Sequence, residues 1–218
     1  MKRPTLVSQR WFRWNAAAWL IGYVLYTPIA HGVTGGHGRD LTTSQLLAHC
    51  VGLAVVAVIV AVAQRRALAP FVPVPWTRVP VAVAAFNIAF WIGYHQPFVI
   101  GPDTDILLGF LVLGSAVWPG TVPVKGHLLP AVIAVLSFPV ASVVAELALI
   151  ITFSVLQITP AMQTSELQHS IFWIVVGGVS GSLGGWVSGL ALASMVPSGT
   201  VTSATQQALA ADAAARRG

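Results

Sequence analysis

Long apolar runs alternate with short polar segments along most of the chain. None of the runs alternates apolar and polar residues with a period of two, so helices are predicted rather than the strands of a membrane barrel. Six runs come close to or pass the length of about 20 residues that a helix needs to cross a bilayer. They cover residues 14 to 34, 44 to 64, 79 to 101, 106 to 124, 130 to 158 and 170 to 195. The pattern predicts an all-α integral membrane protein, a bundle of six transmembrane helices.

The polar segments between the runs are short, which indicates a single domain. We expect a transmembrane domain over residues 1 to 196 and a short cytoplasmic tail over residues 197 to 218. Of the 218 residues, 56% are hydrophobic and 8% are charged, and the mean hydropathy of +0.81 exceeds that of a soluble globular protein. The single cysteine, Cys50, excludes an internal disulfide.

The positions of the cations predict the orientation, because short cytoplasmic loops collect Lys and Arg. With six crossings and a cytoplasmic N-terminus, ten of the eleven cations face the cytoplasm and only Arg39 lies outside. Both termini are therefore predicted to be cytoplasmic. The net charge of +5 predicts contact with anionic lipid head groups of the bilayer rather than with nucleic acid. Nine Arg against two Lys suits a GC-rich bacterial genome, and hence a multi-pass protein of the plasma (inner) membrane.

The run from 106 to 124 leaves an alternative open, because it contains three glycines and two prolines. A re-entrant segment there would invert the last two helices. It would also place Lys125, Arg216 and Arg217 outside the cell, so the full crossing is preferred.

One acidic residue, Glu146, lies near the middle of a predicted span. A carboxylate there costs a few kcal/mol, and no Lys or Arg lies inside any predicted span to pair with it. Ser142 is one turn away on the same helical face. Glu146 is therefore predicted to exchange a proton or bind a cation, and the alternative is a neutral acid that only hydrogen-bonds a neighbouring helix.

Most other titratable residues are predicted to gather at the external face. Under the six-helix topology, five of the six histidines and four of the six carboxylates lie there. Imidazole and carboxylate groups together can relay protons or bind a divalent metal. The histidine spacing matches no standard site, so the metal and any cofactor remain unassigned. The members predicted to line an ion path or to act as acids are His31, His49, His95, Asp103 and Asp105.

Two functions fit these residues, and a third needs no site. The first is a secondary transporter or channel-like protein that moves a small solute or cation past the external histidines, with proton coupling at Glu146. The second is a membrane-embedded enzyme acting on a lipid or isoprenoid, with Glu146 or Asp105 as the general acid. The third is a non-catalytic membrane subunit of a larger complex. Aromatic residues predicted to line the path or the enzyme pocket are Trp19, Tyr23, Trp91, Tyr94 and Trp173.

Four glycines recur at every fourth position in the last apolar run. Spacing of this kind lets two helix backbones approach closely. The ridge is predicted to pack either against another helix of the chain or against its copy in a homo-oligomer or a membrane partner. It consists of Gly177, Gly181, Gly185 and Gly189.

Overall fold

Five α-helices make up the described part of the protein. The computed structural model describes residues 3–30, 41–71, 74–95, 128–155 and 166–195, and no strand occurs among them. The predicted all-α fold class is confirmed at this level. The helices are α1 (Arg3–Ala30), α2 (Thr43–Leu68), α3 (Arg78–His95), α4 (Leu128–Val155) and α5 (Glu166–Met195). The predicted run 106 to 124 and the predicted tail lie outside the described residues.

The ends of α2 follow from local side-chain chemistry. Thr42 caps its N-terminus: its hydroxyl accepts a hydrogen bond from the Gln45 N–H, and the Gln45 side chain accepts one from the Thr42 N–H. This reciprocal pair satisfies two backbone donors that a helix start leaves open. At the other end α2 continues through Arg65 and Arg66 to Leu68, four residues beyond the predicted span. Long arginine side chains can extend to the membrane surface, so they do not force the helix to stop.

The central helix is α1, which packs between α2 and α5. On the outer sides, α3 packs against α2, and α4 packs against α5. A buried apolar cluster joins the starts of α1 and α4 to the ends of α2 and α5, through Val7, Ala134, Leu68 and Met195. We call this the arginine end of the bundle, because Arg10, Arg65, Arg66 and Arg78 also lie there, and the opposite end the distal end.

Three of the described helices are long and apolar enough to cross a membrane. Their candidate spans are Thr43–Leu68, Val132–Leu149 and Trp173–Met195. Many large apolar side chains on the helices are exposed, which suits contact with lipid. The predicted spans on α1 and α3 are not among the three, and the described apolar stretch of α3, Arg78–Ile88, is shorter than a span. These helices support a membrane protein.

Candidate functional site

A buried stripe of large side chains with polar tips runs along α1. Its members, spaced four residues apart, are Trp11, Asn15, Trp19 and Tyr23, and we call them the α1 stripe. Each is no more than 7% exposed. Residues four apart share one face of a helix, so the stripe points continuously into the bundle.

The glycine ridge of α5 lies directly against the α1 stripe. A Cβ atom added at Gly177 would overlap the ring of Tyr23, and one at Gly181 would overlap the Cβ of Trp19. One added at Gly185 would lie 3.0 Å from the Cβ of Asn15. The fourth glycine, Gly189, faces Ser8 and Trp11 in the same way. The two antiparallel helices therefore approach closely from Gly177 to Gly189, and α1 of the same chain packs against the ridge.

Towards the arginine end, a chain of hydrogen bonds links α2, α1 and α5. The Gln64 amide donates to Oδ1 of Asn15 at 3.0 Å, and Nδ2 of Asn15 donates to the Trp11 carbonyl at 2.9 Å. The Trp11 indole N–H then donates to Oγ of Ser188 at 2.8 Å. All four side chains are buried. Polar pairing of this kind is needed where water is absent.

Towards the distal end, His49 of α2 is a buried titratable group inside a candidate span. Its Nδ1 lies 2.8 Å from the hydroxyl of Tyr26 on α1. Its ring stacks on Phe90 of α3, with 5.5 Å between centroids. Only 7% of His49 is exposed. Three helices therefore contact one buried histidine, whose ring can both donate and accept hydrogen bonds.

Between these two polar groups, Trp19 is the centre of an aromatic cluster. Its ring lies 5.7 Å from Phe138 of α4, 6.1 Å from Phe86 of α3 and 6.0 Å from Tyr23, measured between centroids. The indole nitrogen is buried and has no hydrogen-bond partner among the described residues. A buried donor of this kind is costly in an apolar setting.

Most of the other predicted site residues lie outside the described part of the structure, wholly or in their side chains. His31, Asp103 and Asp105 lie outside the described residues. Glu146, Tyr94 and His95 lie on the described helices α4 and α3, but their side chains do not belong to the described part. Ser142, predicted to accompany Glu146, is buried, and its hydroxyl donates to the Phe138 carbonyl at 3.1 Å.

The predicted aromatic residues differ in how far they are buried. Trp91 is 43% exposed, whereas Trp19 and Tyr23 are buried. Trp173 is partly buried and packs at the edge of the Trp19 cluster. Among the described side chains, no group of three or more His, Cys, Asp or Glu residues could hold a metal ion.

Sequence reasoning missed Asn15, Gln64, Ser188 and Tyr26. The spacing of four from Trp11 to Tyr23 was the available signal, since polar residues at that spacing inside an apolar run indicate a buried face.

The chain matches no protein family model, and no curated protein or solved structure is significantly similar to it. Its function must therefore be inferred from these contacts alone.

Proposed function

We propose that the protein is a small secondary transporter or channel-like protein that moves a small solute or cation across a bacterial plasma membrane. The observation that carries the proposal is the line of buried polar groups along α1, from Tyr26 and His49 to Asn15 and Gln64. His49 and Gln64 are 15 residues apart on α2, or about 22 Å of helix. That distance covers most of a hydrocarbon core about 30 Å thick.

A six-helix topology with both termini in the cytoplasm is part of the proposal. Support comes from chain direction: α3 runs from the arginine end to the distal end, whereas α4 begins at the arginine end, where Ala134 belongs to the same buried cluster as Val7. A sixth crossing over residues 106 to 124 would connect the two. The start of α1 and the end of α5 lie at the same end, as cytoplasmic termini require.

In this proposal each part of the line has a separate role. The pair of Tyr26 and His49 receives the solute or proton at the distal end. The indole N–H of Trp19 offers a donor half-way, and the amides of Asn15 and Gln64 form the exit at the arginine end. We assign the exchange of the coupling proton to Glu146, because ionisable residues inside membrane spans mark proton or ion pathways more often than packing.

A membrane-embedded enzyme acting on a lipid or isoprenoid is the second candidate. The aromatic cluster around Trp19 favours it, since the face of an aromatic ring attracts a cationic intermediate. The third candidate is a membrane subunit in which the polar bonds only hold helices together.

The three candidates make different predictions for purified protein in lipid vesicles. A transporter accumulates a labelled solute inside vesicles that carry a pH gradient, and dissipating the gradient stops uptake. An enzyme changes the lipid or isoprenoid extract of the vesicles without a gradient. A subunit does neither. Uptake that is identical in vesicles with and without protein, across amino acids, sugars and monovalent cations, would contradict the transporter proposal.

A further inference from the structure

No described carboxylate balances the five arginines with described side chains that lie at the arginine end: Arg10, Arg13, Arg65, Arg66 and Arg78. Its arginines belong to α1, α2 and the start of α3, and the described parts of these helices and their connection contain no Asp or Glu. In α4 and α5 the acidic residues are Glu146 and Glu166, and neither lies at the arginine end. The described residues therefore supply no carboxylate to these arginines.

Three of the five arginines are held in place by contacts within the chain. Arg10 donates through Nε and Nη2 to the Arg66 carbonyl, at 3.4 and 3.2 Å. The Arg66 guanidinium lies 6.0 Å from the ring centroid of Trp14. Arg65 donates through Nε to the Val74 carbonyl at 3.0 Å, and its guanidinium lies 3.8 Å from the ring centroid of Trp76.

The Arg65 contacts also fix the connection between α2 and α3. Phe71 and Val74 are buried in the apolar cluster, whereas Trp76 is 57% exposed. An exposed Trp beside a held guanidinium is typical of the membrane interface, where the indole ring lies at the level of the lipid head groups. The hydrogen bond uses only Nε, so both Nη groups of Arg65 remain outside it.

Arg78 begins α3 two residues after Trp76, and its side chain lacks, among the described residues, hydrogen-bond partners such as those of Arg10 and Arg65. Its Nε and Nη1 are buried and have no hydrogen-bond partner among the described residues. Burial also lowers the pKa of its guanidinium from the usual value. Its Nη2 is not among these buried atoms, so a neighbouring anion can accept a hydrogen bond there and stabilise the charged form, since hydrogen bonds between guanidinium and phosphate are charge-assisted and strong.

We propose that Arg78 and Arg65, beside Trp76, form a binding site for the phosphate of an anionic phospholipid head group. A lipid suits the site better than free phosphate because the site lies where candidate span Thr43–Leu68 ends. Acyl chains would lie along the exposed apolar residues of α3, Val81 and Ile88. The head group would hold the start of α3 against the end of α2.

The test measures lipid binding to full-length protein in a neutral detergent. Native mass spectrometry counts bound phosphatidylglycerol, with phosphatidylcholine as the zwitterionic comparison. Removing one charged hydrogen-bonding partner should weaken phosphatidylglycerol binding about tenfold in Arg78→Gln and in Arg65→Gln. The matched control is Arg13→Gln, which removes an exposed arginine of the same end and should change binding less than about twofold. Arg78→Lys keeps the charge but replaces the planar guanidinium with an ammonium group, so it should bind phosphatidylglycerol with intermediate affinity. This variant also tests the site if Arg78→Gln does not fold.

Other outcomes would overturn the proposal. Equal losses in Arg13→Gln and Arg78→Gln would mean diffuse attraction to charge and no site. Equal binding of phosphatidylcholine would mean that the acyl chains alone are recognised. A third arm adds inorganic phosphate at millimolar concentration. If phosphate alone displaces the lipid and protects the protein from heat as well as phosphatidylglycerol does, the ligand is a soluble phosphate and the lipid assignment is wrong.

Discussion

The side-chain amide of Gln64 on α2 donates a hydrogen bond of 3.0 Å to Oδ1 of Asn15 on α1, with both residues buried. Because little water reaches this position, removing one partner leaves the other unsatisfied. We expect Gln64→Leu to lower the free energy of unfolding by about 1 kcal/mol. Unfolding by SDS in mixed micelles measures the change. Val58→Ala is the control at an exposed position of α2, and equal stabilities of wild type and Gln64→Leu would contradict the prediction.

The glycine ridge makes a prediction that separates close helix contact from general helix propensity. Gly181→Ala places a methyl group on the Cβ of Trp19, whereas Gly178→Ala places one 3.3 Å from the terminal carbon of the exposed Leu20. Both changes raise helix propensity equally. We expect Gly181→Ala to lose about 1 to 3 kcal/mol of stability through overpacking, and Gly178→Ala to lose much less. Equal melting temperatures for the two variants in detergent would contradict this interpretation.

The hydrophobic pattern predicts the positions of the helices better than it predicts what they bury. The spans predicted at 44 to 64, 130 to 158 and 170 to 195 correspond to α2, α4 and α5 within a few residues. α1 begins at Arg3, eleven residues before the predicted span, because Val7 and Trp11 pack against α2 and α5. Hydropathy describes contact with lipid and carries no information about such tertiary contacts.

The candidate site was predicted only in part, for a related reason. The sequence predicts His49, Trp19 and Tyr23 as site residues because each is a polar or aromatic residue in an apolar run. All three are buried in the bundle. Their partners were not predicted, since the pairing of Asn15 with Gln64 depends on the register of α1 against α2. That register is determined by close contacts such as Gly22 against Val56, which a single sequence does not reveal.

The hydroxyl of Tyr26 should hold the His49 ring in the position that transport needs. Tyr26→Phe removes the group 2.8 Å from Nδ1 of His49 and keeps the ring. If His49 lies on the transport path, loss of this hydrogen bond should lower the rate of uptake by about fivefold or more. Thr27→Val is the matched control, because the Thr27 hydroxyl donates to the Val24 carbonyl of its own helix. An unchanged rate of uptake in Tyr26→Phe would remove His49 from the path.

Reporter fusions test the proposed six-helix topology. A fusion after residue 218 should give a cytoplasmic signal, and so should a fusion before residue 1, because ten of the eleven cations then lie inside. A fusion in the segment 31 to 40 should report the outside. A periplasmic signal from the C-terminal fusion would mean that residues 106 to 124 do not cross.

Substitutions at Glu146 separate a proton-exchanging acid from a structural one. Glu146→Gln keeps the shape and the ability to hydrogen-bond but cannot ionise. We expect it to fold normally and to lose pH-dependent uptake, whereas Glu146→Leu should also lose stability. Ser142→Ala serves as the comparison one turn away, since the Ser142 hydroxyl donates to its own helix. Full uptake with an unchanged pH profile in Glu146→Gln would leave the residue a structural role only.

Proton flux through the purified protein tests the transport proposal most directly. Vesicles loaded with a pH-sensitive dye are placed in a pH gradient, and each candidate solute is added outside. We expect vesicles containing the wild-type protein to lose the gradient faster than protein-free vesicles when the transported solute is present, with the Glu146→Gln variant matching the protein-free rate. Equal rates for wild-type and protein-free vesicles with every solute, from protein shown to be folded and inserted, would contradict the proposal.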